Sequence, residues 1–482
     1  MKNSIKLSAY MLTIVLALSA CTACATTAEK SDVTAESSYT AAEISEQYDN
    51  SANEAQESTG KENNSEQSDE SAGSDEESKA EQQTSADDTE KSSAQSAEQE
   101  STVSDTGAGE ITLSTANESN TKLSSGSYEV QIGNKTVTLS GAYVVDGIEA
   151  VIEGGEWNSS STDQNVFLVM NGGSLTLKNA ALTKTGDAGA NDSTRKSDVS
   201  DDYNFYGINS VILVVGEGSR ATVENCKINS DCSGANAVFS LDNANIDVSN
   251  VRITTTGNSS RGVYATYGGT ITADHIDIKT SGAHCAPVAT DRGGGYVTVR
   301  NSRFDSSGDG SPNIYSTGEI TVENCEGVST GSQAAVIEGR NSITMINCRF
   351  SVSGSGNNGI MLYQSMSGDA ADSDATANVS TLTMTGTTID CELDGPMFYI
   401  TNTNSVINLN GGNSLNAKSG NLVSAAEGRW GREGSNGGTL TLNISGESIS
   451  DSITADDIST VTVNLSDGAE FTGSTSGSVS AG

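Results

Sequence analysis

The chain has 482 residues, with 51 Gly, only 3 Pro and 5% aromatic side chains, and a formal net charge of −38. So acidic a chain excludes nucleic acid and anionic lipid headgroups as the main ligand, and so many Gly, Ser, Thr and Asn residues exclude a mainly helical protein. Large aromatic anchors are too scarce for one globular core, whereas a stack of short strands needs only one or two aliphatic residues per strand.

Residues 1–20, MKNSIKLSAYMLTIVLALSA, start with Lys2 and Lys6 and continue in an apolar run from Leu7 to Leu18. The run is too short for a stable membrane span and has the layout of a secretory signal. Cys21 follows directly, and Leu18-Ser19-Ala20-Cys21 resembles the signal of bacterial lipoproteins. The resemblance implies cleavage before Cys21, lipid attached to it, and an outward-facing protein anchored in the bacterial cell membrane. Several acyl chains on one residue hold durably where a single chain does not. The alternative is an ordinary secretory signal followed by an incidental cysteine. Cys24 fits less well, because Cys21 stands three residues before it, where an aliphatic residue is wanted.

Residues 21–107 read as an acidic disordered tether. Between 29 and 105 there are 22 acidic residues against 4 lysines, a net charge of −18. Such a segment cannot offset its ordering entropy by burial, and like charges extend it. Residues 108–165 alternate in strand fashion with many turns and read as an N-terminal cap and first coils.

From 166 to 482 the chain is repetitive. GANAVFSLDNANIDVSNVRITTTG is followed by RGVYATYGGTITADHIDIKTSG, CAPVATDRGGGYVTVRNSRFDSSG, SPNIYSTGEITVENCEGVSTG and AAVIEGRNSITMINCRFSVSG. Each line has a short apolar run, a polar turn, an alternating strand and a Thr/Ser/Gly turn. The landmarks Val238, Val263, Val288, Ile314, Val336 and Ile360 are 25, 25, 26, 22 and 24 residues apart. A repeat of about 22–26 residues made of strands and turns predicts an all-β solenoid, a single-stranded parallel β-helix. Within Glu319–Cys325, Ile320 and Val322 face inward and Thr321 and Glu323 outward.

Asn179, Asn225, Asn250, His275, Asn301, Asn324 and Asn347 fall at one place in successive coils, where side-chain amides can hold a bend or bond their neighbours above and below. The residues that follow them include Cys226, Cys325 and Cys348. Adjacent coils lie about 4.8 Å apart, which permits a Cys325–Cys348 bridge by distance, but in-register Cβ vectors are poorly aimed for one. Two buried thiols are expected. No cysteine or histidine spacing reads as a zinc site, and His275 and His284 read as surface or turn residues. Segments near 187–207 and 365–381 lack the repeat and read as insertions, the first carrying Asp201 and Asp202. Arg429-Trp430-Gly431-Arg432 reads either as a sugar-stacking loop or as a turn in which Trp430 closes a local core.

GVYATYGGTITA, VATDRGGGYVTV, NIYSTGEITV, AAVIEGRNSIT, GIMLYQSMSGDA, FYITNTNSVINL and RWGREGSNGGTLTL resemble uncharacterised, adhesin-like bacterial surface proteins over about 150–475. The resemblance implies a right-handed parallel β-helix of the pectin-lyase-like fold, attached to the cell envelope, and brings no catalytic residues with it. The expected function is therefore an adhesin-like scaffold that binds a polysaccharide or a protein of a host or neighbouring cell. Candidate ligand contacts are Tyr264, Asp291, Arg292, Tyr315, Trp430 and Arg432.

The alternative is a lyase or hydrolase acting on an acidic polysaccharide. No convincing acid–base pair emerges from the sequence. The nearest sketch of a calcium-and-arginine site is Asp291-Arg292 with Asp274 and Asp277. No EF-hand or glycine/aspartate nonapeptide run supports calcium. Three or more carboxylates converging with Arg or Lys in one cleft would favour the enzyme; a flat face of Thr and Asn would favour adhesion.

Overall fold

Alternation sets each coil. In Glu319–Glu323, Ile320 and Val322 are buried while Thr321 and Glu323 are only half-buried. Val, Ile and Thr have restricted χ1 rotamers and pack well on such a pleated surface. The computed structural model describes residues 106–116, 122–191, 198–365 and 377–482. The signal segment, Cys21, Cys24, the tether up to residue 105 and the middle of each insertion lie outside them. Among the described residues, strands stack in parallel into one sheet of 14 strands and another of 21, making about 13 turns of a β-solenoid. The inward column Ile246, Ile271, Val297, Ile320, Ile343 and Leu382 is buried throughout. Each such side chain contributes about 1.5–3 kcal/mol.

The register corrects one expected landmark. In the 14-stranded sheet Val238 pairs with Val263, Val263 with Val288, Val288 with Ile314, Ile314 with Ala335 and Ala335 with Ile360. The true spacings are thus 25, 25, 26, 21 and 25. Val336 pairs with Tyr315 and Met361 and stands on the outer face. Ala335 is the smaller residue, so hydrophobicity alone picked its neighbour, and a slip of one residue exchanges the two faces of a strand.

The asparagine column makes the bend as expected. Asn179, Asn225, Asn250, Asn301, Asn324 and Asn347 all have φ between 49° and 55°, and His275 shares the conformation at 51°. Asparagine enters this left-handed region more readily than most residues because its short side chain bonds locally. Asn250 Nδ2 donates to Asn225 Oδ1 at 2.6 Å, Asn324 to Asn301 at 3.1 Å and Asn347 to Asn324 at 3.5 Å. At the far turn of the coil a glycine column is required by contact. A Cβ on Gly257, Gly282, Gly308 or Gly331 would come within 2.0, 2.0, 1.7 or 2.0 Å of a carbonyl oxygen of the neighbouring coil. Cys226, Cys232, Cys285, Cys325, Cys348 and Cys391 are buried free thiols. Burial pushes Cys226 up to about 11 and Cys285 up to about 12.

Among the described residues, three features depart from the plain coil. Strands β1 (Gly126–Ile132) and β2 (Lys135–Asp146) form an antiparallel hairpin at one edge of the 14-stranded sheet. The first insertion contains a helix, α1 (Asp201–Tyr206), where an aperiodic loop was expected. Asp201 and Asp202 sit in its first turn, where they complement the helix dipole, and Gly207 closes it at φ 63°. Phe205 and Tyr206 join Ile132, Val137, Leu139, Leu168, Leu213 and Phe239 in a second apolar cluster on the sheet's outer face. Finally, Thr106–Ala116 runs across the coils rather than along one. Gly107 N donates to Asn301 O at 2.8 Å, Asn250 Nδ2 to Glu110 O at 3.5 Å and Ser114 N to Asn179 O at 2.9 Å.

Candidate functional site

The site follows from two outward-facing columns of the 14-stranded sheet. The first runs Phe239, Tyr264, Ala289, Tyr315, Val336, Met361 and Tyr399. Continuing the register, the second runs Leu241, Thr266, Asp291, Thr317, Glu338, Tyr363 and Thr401. Both begin apolar. There α1 and the hairpin cover them, with Thr266 Oγ1 donating to Phe205 O at 2.8 Å. The cover ends near Tyr264, and the columns turn aromatic and acidic. A groove of about 730 Å³ opens beside α1 and extends to Trp430.

Its floor is held by carboxylates on tyrosines. Tyr264 Oη donates to Asp291 Oδ2 at 2.5 Å. Glu338, 1% exposed, accepts from Tyr363 Oη at 2.7 Å and also from Tyr315 Oη and Ser365 Oγ. Burial first, then Glu338 and Tyr363, push the Tyr315 hydroxyl well above its ordinary pKa. Arg261, 8% exposed, donates to Asn204 Oδ1 of α1 at 2.7 Å and lies 4.6 Å from the Tyr264 ring centroid. Burial disfavours its charge, yet Tyr264, Asp291 and Asp198 together hold it above its ordinary pKa.

The other end of the groove is aromatic. Trp430 packs on Tyr363 with centroids 4.5 Å apart, and Arg429 lies 4.2 Å over the Trp430 ring. Asn436 Nδ2 fixes that loop by donating to Gly428 O at 2.6 Å and Trp430 O at 2.9 Å. Tyr399 Oη donates to Glu427 O at 3.0 Å.

Of the residues expected from sequence, Asp291, Tyr315 and Trp430 line this one groove. Tyr264 is fully buried beneath it. Arg292 stacks 4.2 Å from the Phe205 ring and so braces α1. Arg432 is exposed outside the groove in a turn whose Ser435 N donates to Arg432 O at 2.9 Å. Trp430 closes a small cluster with Tyr315, Val336, Met361, Tyr363 and Tyr399, and it also edges the groove. Sequence reasoning missed Glu338, Tyr363 and Tyr399; registration at Ala335 places Glu338 outward, and alternation from Ile360 places Tyr363 outward. It also missed Arg261 and Asp198, which only the fold brings near. His284, read as a surface or turn residue, has φ 58° and lines the groove with Asp309. The sketch joining Asp291-Arg292 to Asp274 and Asp277 is not assembled. Asp277 pairs with Arg252 at 3.2 Å on the other sheet, and Asp274 meets His275 and Asn301 at the bend.

A second hollow of about 670 Å³ lies on the outer face of the 21-stranded sheet. Its charges are compensated in place: Lys279–Asp305 at 2.9 Å, Arg303–Glu326 at 3.3 Å and Arg349–Asp390 at 2.7 Å. A ladder of exposed pairs is an ordinary solvated face. Among the described residues no group of three or more His, Cys, Asp or Glu is placed to hold a metal ion.

No curated protein and no solved structure matches this chain. The sequence model of the family described as "Right handed beta helix region" matches residues 194–350, which hold α1, Arg261, Tyr264, Asp291, Tyr315 and Glu338. With the parallel pairing of every coil, this makes the body of the chain a right-handed parallel β-helix.

Proposed function

We propose that this chain is an envelope-anchored, glycan-binding surface protein, and that the groove beside α1 holds the glycan. The observation that carries the reading is the aromatic run Tyr315, Tyr363, Trp430 and Tyr399 along a groove of about 730 Å³ edged by Asp, Asn and Arg side chains. Sugar rings present apolar faces to aromatic rings and hydroxyls to polar edges, and a volume of that order suits a short oligosaccharide. Fold alone does not argue a substrate, so the reading rests on these side chains. Anchoring through Cys21 and spacing by the acidic segment complete the proposal from the sequence side.

A second reading, cleavage of the bound strand, is favoured by one observation: Asp198, Asp201, Asp291 and Asp309 line the same groove as Arg261 and His284. Binding is the better-supported of the two. Asp291 is engaged by Tyr264 and Glu338 by two tyrosines and a serine, so these buried carboxylates serve the floor. A glycan array probed with the full chain, followed by product analysis on each hit, separates the readings. Retention of intact glycan supports binding; shortened or unsaturated products support cleavage; no retained glycan on a broad array defeats both.

A further inference from the structure

We infer that Arg429 reads a negative charge on the ligand, so that the groove prefers a glycan with one carboxylate or sulfate on the sugar at its Trp430 end; this rests on the glycan-binding reading above. Arg429 lines the groove and is exposed. Its guanidinium lies 4.2 Å over the Trp430 ring, and among the described residues it makes no ion pair and no side-chain hydrogen bond. Stacking uses the face of a guanidinium and leaves its N–H edge open to an acceptor. Two oxygens of one carboxylate or sulfate match that edge, whereas a sugar hydroxyl offers one.

The loop holds Arg429 in place. Asn436, 3% exposed, donates to the carbonyls on either side of it, Gly428 O at 2.6 Å and Trp430 O at 2.9 Å. Just before them, Glu427 N donates to Asp456 Oδ2 at 2.6 Å. A braced loop and a stacked side chain have less freedom to lose on binding. The rest of the lining has no second exposed arginine or lysine. Arg261 is buried and bonded to Asn204, with Asp198 and Asp291 near enough to act on its charge. Those two carboxylates are engaged in turn by Ser259 and Tyr264, so this group is balanced in place. Tyr363, on which Trp430 packs, stands three coils beyond Asp291 in one column, about 14 Å at 4.8 Å per coil. One anionic sugar at the Trp430 end therefore gains a partner, and further acidic sugars along the strand gain none.

The test extends the array to matched oligosaccharides on several backbones, whose terminal sugar is glucose, glucuronate or glucose 6-sulfate, with a fourth member that is acidic at every sugar. The full chain is expected to bind the singly charged members about fivefold tighter than the neutral one, the upper range for a part-exposed ion pair. A lead for glucuronate alone assigns a carboxylate, and a lead for the sulfate alone a sulfated sugar; either supports the inference. The fully acidic member should bind no tighter than the singly charged ones, and the lead should shrink as salt rises. Arg429→Gln should erase the lead and leave neutral binding intact, whereas Arg432→Gln, the same charge change outside the groove, should preserve it. A lead that survives Arg429→Gln, or no lead among retained glycans, overturns the inference while leaving glycan binding in place. Equal loss of neutral and acidic binding in Arg429→Gln also overturns it, because Arg429 would then only support the loop. If the array retains no glycan at all, the glycan-binding reading falls and takes this inference with it.

Discussion

Glu338 shows how much one buried side chain can organise. It sits in the second outward column at 1% exposure and accepts hydrogen bonds from Tyr315, Tyr363 and Ser365. Hydrogen bonds to a charged group contribute about 1.5–3 kcal/mol each, and removing their shared acceptor strands the donors. Glu338→Ala should therefore lower stability by about 3 kcal/mol, and Glu338→Gln, which keeps one acceptor oxygen, by less. Urea unfolding of both variants measures this; an unchanged midpoint in Glu338→Ala would show that the carboxylate does not hold the floor. The tyrosines supply a second readout. Burial first, then the hydrogen bond to Asp163, raises Tyr203 to about 12 from an ordinary 10.0. A raised phenol pKa contributes stability that is complete below about pH 10 and is lost as pH climbs through the folded value. Tyrosinate absorbance should rise in two stages, and Tyr203→Phe or Tyr315→Phe should each remove part of the later one. A single-stage titration near pH 10 would contradict the buried network.

Among the elements, the bends carry the most legible signal. Asn301 at φ 49° belongs to a column visible in the sequence as one asparagine per coil. Asn301→Ala loses both the amide bond to Asp274 at 2.8 Å and the tolerance for this conformation, so about 1–3 kcal/mol of stability should go. Asn301→Gly should recover most of the conformational part, and thermal melts of the pair separate the two contributions. Gly308→Ala has no such remedy, because its Cβ would lie 1.7 Å from Gly282 O in the coil below. The repeat length, the inward aliphatic columns and the stacked buried thiols Cys325 and Cys348 were equally readable, since each depends only on spacing. The groove was not. Ala335 is small and Val336 large, so the landmark slipped by one residue and left the outward place of Glu338 unread. α1 escaped notice because six residues are too few for a 3.6-residue period to show, and its apolar side chains face the sheet, a partner the local sequence does not contain. Asp198 comes near enough to act on the charge of Arg261 only because an insertion folds back on later coils.

At the scale of the whole molecule, each coil contacts its two neighbours, and stability is distributed along the stack rather than gathered in one centre. The strap Thr106–Ala116 departs from that pattern by tying coils from Asn179 to Asn301 together lengthwise. The proposed anchor is tested at this scale too. Cys21→Ser should abolish labelling by a radioactive fatty acid and release the chain from the membrane fraction, whereas Cys24→Ser should do neither. The most direct test of the central claim is the affinity of the full chain for its best array glycan, compared with Trp430→Ala, Arg432→Ala and Arg349→Ala. Removing the groove's aromatic edge should weaken binding by about 1 kcal/mol or more, at least fivefold. Arg432 outside the groove and Arg349 on the other sheet should leave it unchanged. Undiminished binding by Trp430→Ala, with loss in Arg349→Ala, would place the ligand on the opposite sheet and contradict the account.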